Sequence, residues 1–71
     1  MNTISGGIGN TLTNTDSSTI GGGASNFIVQ DADGSTISGG VNNSIRDLAD
    51  YGFIGGGRQN NIAANGQRSV I

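Results

Sequence analysis

Aspartate is the only acidic residue in this 71-residue sequence: there are five, beside three Arg and no Lys, His, Cys or Glu. That inventory limits the chemistry available. Without His, Cys or Lys the usual nucleophile–base pairs cannot be assembled. Paired aspartates could in principle serve glycosyl hydrolysis, but Asp16, Asp31, Asp33, Asp47 and Asp50 all fall in polar, turn-rich segments with no sign of a pocket. Asp31-Ala32-Asp33-Gly34 opens like a calcium loop and then lacks the third acidic position and the bidentate Glu, which leaves room for one weak cation at most. Gly6-Gly7-Ile8-Gly9-Asn10-Thr11-Leu12 approaches the calcium-binding nonapeptide, yet Thr11 stands where the Asp is needed and the aliphatic comes one place early. A phosphate loop needs Lys and Ser/Thr after its last Gly, whereas Gly57 is followed by Arg58-Gln59. The sequence is therefore expected to hold no catalytic, cofactor-binding or metal site, and not to be an enzyme.

The remaining composition restricts partners in the same way. Three Arg form no basic stripe, so nucleic acid is not an expected partner. No apolar run approaches the roughly 20 residues that cross a bilayer as a helix. Met1 is followed by polar Asn2, Thr3 and Ser5, so no leader is expected and assembly is expected in a cytoplasm. At this length a lone hydrophobic core is marginal. Small scaffolds compensate with disulfides, a metal or oligomerisation, and without Cys or His the last remains.

The glycines and aspartates must be positioned by something, and an internal repeat is the main signal. Thr3-Ile4-Ser5-Gly6-Gly7 recurs as Thr19-Ile20-Gly21-Gly22-Gly23, Thr36-Ile37-Ser38-Gly39-Gly40 and Phe53-Ile54-Gly55-Gly56-Gly57, at offsets of 16, 17 and 17. Three residues past each Gly pair stands an Asn: Asn10, Asn26, Asn43 and Asn60. Two residues further stands an aliphatic: Leu12, Ile28, Ile45 and Ile62. Around most anchors the order is polar–apolar–polar, as in Thr3-Ile4-Ser5 and Ser44-Ile45-Arg46, the period of a short strand with one side chain facing inward. Gly, Asn, Asp and Ser fill the segments between and suit tight corners.

Two strands and two arcs per period describe one coil of a flat parallel β-solenoid. The expected fold is an all-β β-roll of about four coils in a single domain, 1–71, with coils starting near 3, 19, 36 and 53 and a partial coil at 69–71. Ile4, Ile20, Ile37, Ile54 and Ile71 should stack as one inner ladder, and Leu12, Ile28, Ile45 and Ile62 as the facing one. Asn10, Asn26, Asn43 and Asn60 invite a side-chain amide ladder along the axis. The charges Asp16, Asp31, Asp33, Asp47, Asp50 and Arg68 mark the second arc as the variable, solvated side, while Arg46 flanks an anchor and Arg58 lies in the first arc.

Terminal coils of natural solenoids carry caps, and none is recognisable here, so the end strands need cover from further coils or another subunit. Phe27 and Phe53 should point outward. Ile8-Gly9, Gly23-Ala24, Gly40-Val41 and Gly57-Arg58, at the ends of the Gly runs, make a partly apolar corner, and Leu48 and Tyr51 add apolar surface on the second arc. Ile8, Phe27, Val41, Leu48, Tyr51 and Phe53 are thus the candidate interface for a homo-oligomer.

The unit [Ser/Thr/Phe]-Ile-[Ser/Gly]-Gly-[Gly]-x-x-Asn-x-[Ile/Leu] resembles repeats of phage tail-fibre and other virion proteins. It is also similar to the head domains of trimeric autotransporter adhesins, over nearly the whole chain from Thr3 to Ile71. That resemblance implies a left-handed coil and a homotrimer. It further implies a non-enzymatic structural protein of a virus particle (a fibre, spike or capsid-decorating component), assembled in the host cytoplasm. Its partners would be itself and, through the particle, other virion proteins or a host-surface receptor. The coil is longer than in adhesin heads, and stalk heptads and a membrane anchor are missing. This places a cell-surface adhesin or glycan-binding module second. Asn2-Thr3-Ile4-Ser5-Gly6 and Asn43-Ser44-Ile45 also resemble grass ice-binding β-rolls, but Phe27, Phe53 and Asn61 interrupt both candidate flat faces, and ice binding is third.

Overall fold

The structure is a computed structural model that describes residues 2–29, 31–46, 48–63 and 69–71. Within them the chain is an all-β parallel solenoid with no helix, winding about three turns from its first strand to its seventh. The strands are β1 (Thr3–Ile4), β2 (Thr11–Thr13), β3 (Thr19–Ile20), β4 (Phe27–Val29), β5 (Thr36–Ile37), β6 (Ser44–Ile45), β7 (Phe53–Ile54) and β8 (Asn61–Ile62). Odd strands build one sheet in the order β1-β3-β5-β7, and even strands build the other as β2-β4-β6-β8. The register pairs like with like: Ile4, Ile20, Ile37 and Ile54 on one side, and Leu12, Ile28, Ile45 and Ile62 on the other. The body measures 26 × 23 × 13 Å, and its smallest dimension fits two sheets roughly 10 Å apart.

Short strands arise because the neighbours of each anchor face out and a turn follows close behind, a glycine-rich corner after the odd strands and a mostly polar arc after the even ones. At those corners the backbone turns through left-handed conformations, taken by Gly23 and Gly40 and, among non-glycines, by Ser25, Asn42 and Gln59. Gly40 cannot be replaced freely, since a Cβ there would collide with the Gly57 carbonyl of the next rung. The first corner also carries its own ladder of isolated parallel bridges, Ile8↔Ala24↔Val41↔Arg58. This corrects the alignment read from the Gly pairs by one residue in the first coil: Ile8 lies opposite Ala24, not Gly23.

Ile20, Ile28, Ile37, Ile45, Ile54 and Ile62 are buried between the sheets. Three expected ladder members are not part of that sealed core. Ile4 remains 42% exposed and Ile71 49%, and Leu12 packs only partly against it. All three stand on the outermost rungs, with a stacked neighbour on one side only. Ile71 nonetheless joins the stack, because its N–H donates to the Phe53 carbonyl and its carbonyl accepts from Gly55 N–H, both at 2.9 Å. Ala32 and Ala49, absent from the expected ladders, complete the core from the second arc.

Candidate functional site

Three polar columns run along the solenoid, and each sits where a backbone N–H would otherwise lack a partner. The first is the asparagine column. Asn10 Oδ1 accepts from Asn26 N–H (3.0 Å), Asn26 Oδ1 from Asn43 N–H (2.9 Å), and Asn43 Oδ1 from Asn60 N–H (3.0 Å). Each interior amide also donates twice: Asn26 to the carbonyls of Gly22 and Gly40, and Asn43 to those of Gly39 and Gly57, all within 2.9–3.0 Å. The column is therefore mainly side chain to backbone, and only Asn26 Nδ2 to Asn10 Oδ1 (3.2 Å) links amide to amide. Burying Asn26 and Asn43 completely is tolerable because every polar atom is engaged.

The other two columns lie in the second arc, and sequence reasoning missed both. Ser18 Oγ accepts from Ser35 N–H (3.2 Å) and Ser35 Oγ from Gly52 N–H (3.1 Å), each serine being buried. Asp33 Oδ1 accepts from Asp16 N–H (2.9 Å), and Asp50 Oδ1 from Asp33 N–H (3.0 Å). The aspartates point their acceptors toward the preceding rung, opposite to the asparagines. A signal for both was present, since Ser18, Ser35 and Ser69, and Asp16, Asp33 and Asp50, recur at multiples of 17. The second arc is thus ordered by position rather than simply variable. Asp47 and Arg68 lie outside the described residues.

Asp33 commits one carboxylate oxygen, Oδ1, to this backbone contact. Among the described residues no group of three or more His, Cys, Asp or Glu is placed to hold a metal ion, and no helix is long and apolar enough to cross a membrane.

The candidate interface residues do not share one surface. Ile8, 78% exposed, and Val41 lie on the first corner beside Arg58. Leu48 and Tyr51, 49% and 63% exposed, lie on the second arc at the opposite edge of the cross-section. Phe27 is half-buried between Thr11 and Ser44 on the outside of one sheet. Phe53 faces out from the other sheet between Thr36 and Val70.

Leu48 and Tyr51 adopt φ of 66° and 59°. In equivalent turns of the arc the same conformation belongs to Asn14, Asp31, Ser17 and Gly34. A side chain with a Cβ costs roughly 1–2 kcal/mol in that region, and Asn, Asp and Gly enter it most easily. Tyr51 recovers part of this by laying its ring over Gly34, where a Cβ would come within 2.8 Å of Cε1. Leu48 keeps half its surface in water. Two bulky apolar residues thus occupy the least suitable backbone of the arc and remain exposed, an arrangement that the isolated fold does not require.

No protein-family model matches the chain, and no curated protein or solved structure matches it either.

Proposed function

We propose that this chain is a non-enzymatic structural module that works by self-association, as a fibre, spike or capsid-decorating component of a virus particle. The observation that carries the self-association reading is the exposed, strained pair Leu48 and Tyr51, joined by the exposed Ile8 and Val41 at the other edge. Further support comes from the economy of the interior: six sealed isoleucines and two alanines are a small core for a domain of this length. The virion role, a left-handed coil and a trimer follow from the resemblance of the repeat unit to tail-fibre and adhesin-head repeats. Native mass spectrometry of the purified chain tests the reading. A defined homo-oligomer, three copies by the resemblance, is expected; a folded monomer at micromolar concentration would contradict it. Peptide mapping of purified particles from the source would then locate the chain in a virion.

Exposed Tyr51 favours one second reading, a glycan-binding adhesin module, because sugar rings stack on exposed aromatic faces. Glycan-array binding abolished by Tyr51→Ala would support it, and a blank array would remove it.

A further inference from the structure

The two edges of the solenoid are complementary to each other. The first-corner edge presents Ile8 and Val41 with Arg58 on the rung beyond Val41, and Arg58 is its only described charge. The second-arc edge presents Leu48 and Tyr51, with Asp31 and Asp33 on the rung before and Asp50 between them. Arg46 is the only described cation near this edge, so Asp31, Asp33 and Asp50 leave it acidic.

Height along the axis matches as well. Val41 belongs to the same turn as Leu48 and Tyr51, between β5 and β7. Copies placed side by side at equal height would therefore set Val41 against Leu48 and Tyr51. Arg58 would stand one rung, about 4.8 Å, from the level of Asp50, within the reach of an arginine side chain.

We infer that the first-corner edge of one copy docks on the second-arc edge of a second copy, a heterologous contact between Ile8, Val41, Arg58 and Leu48, Tyr51, Asp50. The inference rests on the self-association reading and names its surface. The contact is heterologous, so each copy offers both edges to its neighbours, and the rotation between neighbours decides whether the assembly closes or stays open.

Leu48→Asn and Arg58→Glu separate assembly from folding. Asn suits the left-handed backbone at position 48 and Asn14 already occupies its equivalent, so Leu48→Asn should keep the β signal in circular dichroism while lowering the oligomer fraction at least tenfold in sedimentation velocity. Arg58→Glu should weaken assembly similarly. The same oligomer in both single variants would overturn the edge assignment and leave self-association standing. A monomeric parent chain would overturn both.

Discussion

Replacing Asn43 by Ala removes more from this fold than its size suggests. Its side chain accepts from Asn60 N–H (3.0 Å) and donates to the Gly39 and Gly57 carbonyls (3.0 Å each), while being fully buried. Three net hydrogen bonds at about 1 kcal/mol each, with a buried N–H and carbonyls left unpaired, put the loss at roughly 3–5 kcal/mol. A domain of this length has on the order of 4–10 kcal/mol in total, so the variant should lose a large share of its stability and unfold at a much lower urea concentration. Asn60→Ala is the matched control. On its outer rung the Asn60 side chain makes one hydrogen bond among the described residues, to the Gly56 carbonyl (2.9 Å), and its loss should cost about 1 kcal/mol. Asn43→Asp keeps the acceptor but turns a carboxylate toward two carbonyls, and should be no milder than Ala. Urea denaturation followed by circular dichroism, at one protein concentration because assembly contributes to apparent stability, measures all three. Equal midpoints for Asn43→Ala and Asn60→Ala would refute the column as a source of stability.

The isoleucine ladder should show a similar gradient: Ile37→Ala, in the sealed centre, is expected to lose about 2–5 kcal/mol, and Ile4→Ala, 42% exposed at the outer rung, less than half of that in the same assay. Ile37→Asp should abolish the β signal in circular dichroism, whereas persistence of that signal would contradict a dry interior. Adjacent glycines should differ sharply. Gly40→Ala sets a Cβ against the Gly57 carbonyl at a φ of 101° and should not fold, while Gly39→Ala meets nothing within 4 Å and should stay within about 1 kcal/mol of the parent in thermal melting.

The ladders were legible in the sequence because identical aliphatics and asparagines recur at offsets of 16 and 17, a periodicity that parallel stacking converts directly into contact. The first-corner alignment was harder, since Gly6-Gly7 and Gly21-Gly22-Gly23 differ in run length, although the 16-residue offset of Ile4/Ile20 and Asn10/Asn26 on either side already sets Ile8 opposite Ala24, as the bridge shows. The second arc looked irregular because its columns mix types: Thr15 with Ala32 and Ala49, Ser18 with Ser35 and Gly52. What these positions share is small volume and a place at the core, not chemical identity. Exposure of the outer anchors Ile4 and Ile71 is a property of stacking order, which composition and spacing do not carry. The candidate interface residues could be named from their apolar character, but only the winding shows that they divide between two edges and two faces. The conformation of Leu48 and Tyr51 had no signal in their own identities. Alignment with Asn14, Asp31, Ser17 and Gly34 supplies it, because those are residues that accept a left-handed turn.

The solenoid depends on neighbouring turns lying in the pairing Thr19↔Thr36 and Ile20↔Ile37. The chain contains no cysteine, so the double variant Thr19→Cys/Thr36→Cys reports on that pairing without interference. Outward residues paired across parallel strands stand within the roughly 4.4–6.8 Å Cα separation that a disulfide spans. Under mild oxidation at dilute concentration, mass spectrometry should find a rapid intrachain disulfide in this variant and none in Thr19→Cys/Phe53→Cys, whose positions are two rungs apart. Equal oxidation of the two, or an absence of the bond between positions 19 and 36 in a folded chain, would contradict the solenoid.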